Sequence, residues 1–202
     1  MEKPQYIIVA GVNGAGKSSL YRIWPGLFKN TRRINADEWL QKHGGDWREP
    51  KDNMKAMKAV VKDLKQALDN GESIHQETTL AGTGQTFLNL IDKAHRKGYE
   101  VTVLYVNLDS PERAIDRVAA RVKKGGHGVA SDLIRKRYES SKENLKKVAK
   151  VADNLLIFDN NKNFVQTYER RGQKVMYDIR NQIGTPSPIQ NKKKDNTHTK
   201  HL

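Results

Sequence analysis

The sequence predicts one α/β domain, in which a parallel sheet is covered by helices on both faces. Three observations lead to this fold class. Apolar runs typical of buried strands alternate with segments of roughly 10–20 residues whose pattern is typical of helices. A glycine-rich turn separates the first predicted strand from the first predicted helix. The 202 residues are enough for one domain with a substantial core, since domains commonly span about 100–200 residues.

The predicted elements follow one another in a regular order. Strands are expected over residues 6–10, 33–36, 73–76, 99–108 and 155–158, with a hairpin over 164–168 and 174–177. Helices are expected over residues 17–23, 54–68, 87–98, 111–124 and 131–150. In the second of these helices, apolar residues recur at steps of three and four. This spacing predicts a core-facing stripe made of Met54, Met57, Val61, Leu64 and Leu68.

Composition divides the chain and excludes several classes of protein. We predict a folded domain over residues 1–180 and a disordered basic tail over residues 181–202, because the tail combines prolines with consecutive lysines and has no aromatic residue. The absence of cysteine excludes a disulfide scaffold, a thiolate zinc site and a cysteine nucleophile. The apolar runs are too short to cross a membrane and no secretory signal is recognisable, so we expect a cytoplasmic protein with no membrane partner.

The charge of the chain indicates its type of ligand. The formal net charge is +14 at pH 7, from 37 basic and 23 acidic residues. A basic domain of this size usually meets a polyanion, which could be a nucleotide, a nucleic acid or an acidic protein.

The turn after the first strand holds the most specific motif. Residues 11–18 fit the pattern G-x-x-x-x-G-K-S/T at every fixed position, between a predicted strand and a predicted helix. In such a P-loop, backbone N–H groups surround a phosphate, the lysine reaches the β- and γ-phosphates, and the serine holds Mg²⁺. We therefore predict binding of ATP with Mg²⁺, and Ser18 as the metal ligand. The predicted nucleotide-binding residues are Gly11, Asn13, Gly14, Ala15, Gly16, Lys17, Ser18 and Ser19.

Two other classes of P-loop protein lack their signatures here. A GTPase usually has an Asn/Thr-Lys-x-Asp guanine motif after a late strand, and residues 158–162 do not match it. A transporter ATPase would have a Leu-Ser-Gly-Gly-Gln-like sequence, and the chain has none. The short chain and the alternating order therefore favour a nucleoside-kinase-like P-loop fold with a helical lid.

Acidic residues follow three of the predicted strands, at the edge of the sheet where parallel α/β proteins bind ligands. Asp37 is the candidate general base, which would orient an acceptor hydroxyl and take its proton; alternatively, it caps the helix that follows. Glu77 would bind Mg²⁺ through water or hold sugar hydroxyls; alternatively, it is a solvated loop carboxylate. Asp109 precedes a Ser-Pro-Glu sequence, which favours an N-cap role.

Arginines and glycines in the second half of the chain predict the lid. Arg113, Arg117 and Arg121 recur every four residues, so they share one helix face, and glycines at 125, 126 and 128 would form a hinge. Lid arginines stabilise the charge of a transferring phosphoryl group once a site closes. Arg121 is the best candidate; alternatively, the stripe is a solvated basic face. His127 either contacts phosphate or substrate, or only decorates the loop.

Together, these segments resemble the zeta toxin family of P-loop kinases. The matching pieces are residues 11–18, 34–37, 75–79, 98–101, 117–121, 125–129 and 131–138. The resemblance extends over about residues 5–160. The P-loop is shared by many families, whereas the Asn-Ala-Asp and Arg…Gly-Gly-His pieces in this order are more specific.

The resemblance implies a kinase that uses ATP or GTP to phosphorylate a sugar hydroxyl of UDP-N-acetylglucosamine, and a protein antitoxin that blocks the nucleotide site. Longer family members have a second lid arginine before a proline; this chain has no proline over residues 125–130, so Arg135 or Arg137 is the candidate replacement. By position, the catalytic residues would be Asp37, Lys17 and Arg121. The substrate-binding residues would be Glu77, Thr78, Arg117, His127, Arg135 and Arg137.

Two alternatives stay open at this point. One is a small-molecule or nucleic-acid-end kinase of the same fold, whose basic surface would hold RNA or DNA with a steep salt dependence. The other is a nucleotide-binding module that signals occupancy to a partner without transferring phosphate. A kinase needs both Asp37 and the lid arginines, and a binding module does not.

Overall fold

The computed structural model describes residues 2–180. Its strands are β1 Gln5–Ala10, β2 Arg32–Asn35, β3 Ile74–Thr78, β4 Glu100–Asn107, β5 Asn154–Asp159, β6 Val165–Arg171 and β7 Lys174–Asp178. Its helices are α1 Ser18–Ile23, α2 Ala36–Lys42, α3 Pro50–Asp69, α4 Gln85–Arg96, α5 Pro111–Lys123 and α6 Ser131–Val151, with a 3₁₀ turn at Pro25–Phe28. The tail predicted over residues 181–202 lies outside the described residues.

All seven strands form one sheet in the order β2-β3-β1-β4-β5-β6-β7. The first five in this order pair in parallel, and β6 and β7 add an antiparallel hairpin at one edge. The predicted α/β class is therefore confirmed, with the hairpin making the sheet mixed. Within residues 2–180, no helix is long and apolar enough to cross a membrane.

Side chains that alternate along the central strands form two cores, one on each face of the sheet. Tyr6 and Ile8 belong to the core that α3 and α4 cover, whereas Ile7 and Val9 belong to the core that α1 and α5 cover. The long helix α6 contributes to both cores. Because β1 is buried on both faces, its sequence is continuously apolar, which is the pattern from which it was predicted.

The predicted core stripe of α3 is wrong at its N-terminal end. Met54 and Met57 are 57% and 56% exposed. The stripe that faces the core is instead Ala56, Val60, Leu64, Ala67 and Leu68. Alanine is small enough to let the helix approach the sheet, so the buried face is rotated away from the methionines.

Candidate functional site

The P-loop connects β1 to α1 and has the backbone shape that its glycines predict. Gly14 has φ +79°, and a Cβ there would lie 2.6 Å from the Ala114 carbonyl oxygen of α5. A side chain at this position would meet both backbone strain and a backbone collision. The loop therefore packs directly under the helix that begins the lid.

Lys17 is the buried cation of this loop. Its side chain is 8% exposed, and Nζ donates to the carbonyl oxygens of Gly11 at 2.8 Å and Val12 at 3.3 Å. Burial lowers the pKa of Lys17, while the negative charges of Glu77 and Asp37 act in the opposite direction. The ammonium group is therefore within electrostatic range of both candidate carboxylates.

Asp37 lies in the first turn of α2, directly after β2. The N-cap of this helix is Asn35, whose side chain accepts hydrogen bonds from the N–H groups of Asp37 at 2.8 Å and Glu38 at 3.3 Å. The interpretation of Asp37 as the N-cap is therefore wrong, because Asn35, two residues earlier, caps the helix. The Asp37 side chain is 59% exposed, and Oδ1 lies 4.0 Å from Nε2 of His127 in the lid.

Glu77 lies within β3, beside Val9 of β1 and Asn35 of β2 in the register of the sheet. Its carboxylate accepts a hydrogen bond from Nη2 of Arg33 at 2.9 Å, and its side chain is only 17% exposed. The alternative of a solvated loop carboxylate is therefore wrong. Thr78, the next residue, uses its hydroxyl to accept the Leu80 N–H at 3.1 Å and so shapes the following turn.

Arg33 is a site residue that the sequence analysis missed. Its Nη2 bridges the carboxylates of Glu77 and Glu38 at 2.9 and 3.0 Å, and its guanidinium lies 4.4 Å from the ring centre of Tyr21. It therefore fixes the Glu77 carboxylate at the end of β3. Only its position two residues before the N-cap of α2 could have drawn attention to it.

The predicted lid arginines separate into two groups in the structure. Arg121 is near enough to Lys17 and His127 for its positive charge to lower the pKa of each of them, in addition to the larger effect of burial. Arg117 instead donates to the Asn160 carbonyl oxygen at 2.6 Å. Arg113 forms a two-point ion pair with Asp109 at 2.8 and 3.0 Å.

The structure distinguishes between the two candidates on α6. Nη1 of Arg137 donates to Asn13 Oδ1 in the P-loop at 2.9 Å, and burial lowers the pKa of Arg137 while Asp37 raises it. Arg135 is 51% exposed and pairs with Asp132 at 3.1 Å and Glu112 at 3.5 Å. Arg137 therefore lies in the site, and Arg135 does not.

The predicted cap at Asp109 also needs correction. The N-cap of α5 is Ser110, whose hydroxyl accepts the Arg113 N–H at 3.3 Å. Asp109 is one residue too early for this role and is engaged by the Arg113 guanidinium instead.

The lid segment between α5 and α6 contacts the loop before α3. The ring centres of His127 and Trp47 are 5.2 Å apart, and a Cβ at Gly128 would lie 2.5 Å from Cη2 of Trp47. Asn53 holds the Trp47 backbone by donating to its carbonyl oxygen at 2.7 Å. Trp47 was not predicted as a site residue, because nothing in its local sequence indicates this long-range contact.

Two pockets in the described part of the chain bear on ligand binding. One, of about 370 Å³, lies against the C-terminal half of α5 and is lined by Arg117, Ala120, Arg121, Lys124 and Gly126. A larger one, of about 970 Å³, lies where β1, β4 and β5 begin, at the opposite end of the sheet. None of the predicted site residues lines the larger pocket, whereas Arg117 and Arg121 line the smaller one.

The residues that form this site lie within a match to a known protein family. The zeta toxin family matches residues 1–182. The chain belongs to this family. The resemblance proposed from the sequence is therefore confirmed, and the family supports a P-loop phosphotransferase that uses a nucleotide.

Individual relatives are distant. An uncharacterized protein of Haemophilus influenzae is 34% identical over 62 residues, which are 31% of this chain and 43% of that protein. The alignment thus spans less than half of that relative.

Two solved structures share the fold. A chain from the PezAT chromosomal toxin–antitoxin system of Streptococcus pneumoniae is 21% identical, with a TM-score of 0.60 over 84% of this chain and 72% of that chain. A chain from the complex of AvrRxo1-ORF1 with AvrRxo1-ORF2 is 13% identical, with a TM-score of 0.69 over 90% of this chain and 62% of that chain.

Proposed function

We propose that this zeta toxin family protein transfers the γ-phosphate of ATP or GTP to a hydroxyl of a nucleotide sugar such as UDP-N-acetylglucosamine. The observation that carries the proposal is the convergence of three groups. The Lys17 ammonium lies within electrostatic range of the Asp37 carboxylate, and Arg137 joins the lid helix α6 to Asn13 of the same P-loop. A cation at the phosphates, a base and a lid arginine are the parts that phosphoryl transfer requires.

The nucleotide would bind across the P-loop and extend towards the pocket of about 370 Å³ on α5, the helix that contacts Gly14. Backbone N–H groups of residues 11–18 and the Lys17 ammonium would hold the β- and γ-phosphates. The Arg117 and Arg121 side chains and Ala120 line the pocket, which would take the ribose and the base.

The residues at the P-loop also suit Mg²⁺. Ser18 is exposed at the start of α1, and the Glu77 carboxylate supplies a further oxygen acceptor within electrostatic range of Lys17. No cluster of three or more His, Cys, Asp or Glu residues that could hold a metal occurs within residues 2–180. This suits Mg²⁺, which usually takes one or two protein oxygens together with waters and substrate phosphates. When bound there, it would neutralise charge that develops on the phosphate oxygens.

In the proposed reaction, the acceptor hydroxyl oxygen attacks the γ-phosphorus while Asp37 accepts the hydroxyl proton. The new O–P bond forms as the bond to the β,γ-bridging oxygen breaks, and the nucleoside diphosphate leaves. Lys17, Arg121 and Arg137 would stabilise the charge on the phosphate oxygens. Glu77, held by Arg33, would accept hydrogen bonds from sugar hydroxyls and set the position of the acceptor.

The experiment that tests this function is phosphoryl transfer to a panel of acceptors with Mg-ATP, read by mass spectrometry. The panel contains UDP-sugars, free nucleosides and a 5′-hydroxyl RNA oligonucleotide. The net charge of +14 favours the RNA as the second candidate acceptor. A phosphate adduct on a UDP-sugar supports the proposal, and an adduct on RNA alone makes the chain a polynucleotide kinase. Nucleotide binding without any adduct makes it a binding module.

Asp37→Asn is the matching variant, because it keeps the shape of the side chain and removes its basicity. Loss of a general base typically lowers the rate by about 10²–10⁴-fold, whereas ATP affinity should change little because the loop and Lys17 contact the phosphates. Asp116→Asn is the control, since it removes an exposed carboxylate from α5. Equal single-turnover rates for the two variants would exclude Asp37 as the base.

We also propose a protein antitoxin as the partner of this chain. The support is that the PezAT chain of similar fold comes from a toxin–antitoxin system, and that the AvrRxo1-ORF1 structure contains a partner, AvrRxo1-ORF2. Such a partner would act by covering the nucleotide site.

A further inference from the structure

Hydrogen bonds hold the turn that follows β5 together and connect it to the end of the neighbouring strand β4. Asp159 accepts hydrogen bonds from the backbone N–H of Asn161 at 3.0 Å and from its side-chain amide at 2.6 Å. The Asn160 N–H donates to the Asn107 carbonyl oxygen at the end of β4 at 3.2 Å, and Asn161 Oδ1 accepts the Asp109 N–H at 2.9 Å. This turn, residues 159–161, does not carry the guanine-binding motif that a GTPase would have at this place. The proposed function therefore assigns it no role.

Asn160 reaches from this turn to the P-loop. Its Nδ2 donates to the Ala15 carbonyl oxygen at 2.8 Å. The approach is so close that a Cβ on Gly16 would collide with the same Nδ2. Gly16 is the second fixed glycine of the motif. A side chain there would be disfavoured both by the nearby Asn160 amide and by the backbone conformation, which has φ +91°.

The hydrogen bond to Ala15 determines where the next N–H group points. In a planar trans peptide, the carbonyl oxygen and the following N–H point in opposite directions. Asn160 holds the Ala15 carbonyl on the outside of the loop, so the Gly16 N–H is directed away from Asn160. Within residues 2–180, the Gly16 N–H donates to no backbone or side-chain acceptor. It is therefore free to donate to a phosphate oxygen.

Asn160 is itself held from its other side. Its carbonyl oxygen accepts a hydrogen bond from Nη2 of Arg117 at 2.6 Å, and Arg117 lines the pocket on α5. One residue thus connects three parts of the site, which are the end of β4, the P-loop and helix α5.

We propose that Asn160 is a positioning residue that fixes the Ala15–Gly16 peptide in its phosphate-binding orientation. Arg117, a predicted substrate-binding residue, acts in the same unit by holding Asn160. The inference rests on the nucleotide-binding part of the proposed function. It does not depend on the acceptor or on transfer taking place.

The test compares Asn160→Asp with Asn163→Asp. Asn160→Asp keeps the shape, loses the amide donor and places a carboxylate oxygen against the Ala15 carbonyl oxygen. Asn163→Asp makes the same chemical change three residues away, at an exposed side chain with no hydrogen bond in the described part of the chain. Calorimetry measures Mg-ATP affinity, and hydrogen exchange without ligand measures protection of the amides of residues 12–17. Thermal denaturation measures folding of both variants.

We expect Asn160→Asp to bind Mg-ATP at least about tenfold more weakly than Asn163→Asp, because a partly buried hydrogen bond is replaced by a repulsive contact. Exchange at residues 12–17 should be faster, and KM for the acceptor should be unchanged. If Asn160→Asp is unfolded, the comparison uses Asn160→Ala, which adds no charge, with Asn163→Ala as its control. Equal Mg-ATP affinity in the compared pair overturns the proposal. Normal nucleotide binding by the wild type without transfer overturns the kinase function alone.

Discussion

A single methyl group added to the lid should measure how closely the lid must approach the acceptor side of the site. Gly128 is buried beneath the Trp47 indole. Its φ is not positive, so alanine fits the backbone there without strain. Gly128→Ala therefore acts through the packing of the new Cβ, chiefly against Trp47 and less closely against Val122.

The magnitude follows from the distances. The new Cβ would lie 2.5 Å from Cη2 and 2.9 Å from Cζ2 of Trp47, and 3.0 Å from Cγ2 of Val122. Carbon atoms in ordinary contact are about 3.5–4.0 Å apart, so the indole or the lid segment must move by roughly 1 Å. Overpacking of this kind typically costs about 1–3 kcal/mol. His127 contacts the same indole and lies 4.0 Å from Asp37, so the displacement reaches the proposed base.

If the contact forms in the reactive state, that cost lowers kcat/KM by about 5-fold to about 140-fold, since 1.4 kcal/mol corresponds to a factor of ten. The assay is steady-state transfer to the identified acceptor. Gly26→Ala is the control, because its Cβ would meet nothing within 4 Å and its φ is not positive either. When Trp47 is already alanine, adding Gly128→Ala should lower kcat/KM much less than it does in the wild type, because the methyl group then has room. Equal kcat/KM for Gly128→Ala and Gly26→Ala would refute this account of the lid.

Two further predictions follow from the contacts of the site. Arg137→Ala should lower the single-turnover transfer rate at least about tenfold, whereas Arg135→Ala should leave it near wild type; equal losses would contradict the assignment of Arg137. Burial lowers the pKa of His75 from 6.5 to about 4. Between these two pH values, His75 is therefore mostly protonated in the unfolded chain and mostly neutral in the native protein. Stability should therefore fall as the pH drops from 6.5 towards 4, and thermal denaturation at pH 7.5 and 5.5 should show a smaller drop for His75→Gln.

The P-loop could be predicted from sequence because its determinants are local. Strand, glycine turn and lysine are consecutive in the chain, and β1 is buried on both faces, which gives it an unbroken apolar sequence. The succession of strands and helices along the chain also followed from the alternation of apolar runs, whereas the order of the strands across the sheet was not predicted. The orientation of α3 did not, because hydropathy ranks methionine above alanine, whereas the packing against the sheet selected Ala56 over Met54 and Met57.

The missed site residues depend on contacts between distant segments. Trp47 meets Gly128 across 81 positions, and Asn160 meets Ala15 across 145. In each pair, neither residue leaves a mark in the sequence around the other, so the contact cannot be predicted from local sequence. The cap of α2 was missed for a different reason, since both Asn35 and Asp37 are good N-cap residue types and only the hydrogen bonds distinguish them.

The sheet order explains why a base and a phosphate loop come together from separate parts of the chain. β2, β3 and β1 are adjacent and parallel, so their carboxyl ends place Asp37, Glu77 and the P-loop in one row. These groups are positioned by the ends of sheet strands, whereas Arg121 and Arg137 belong to the lid helices α5 and α6. We therefore expect residues of the site to differ in their kinetic roles. Changes at Lys17 in the P-loop should weaken nucleotide binding, whereas changes at Asp37 and at Arg137 of the lid should lower the transfer rate with little effect on nucleotide affinity.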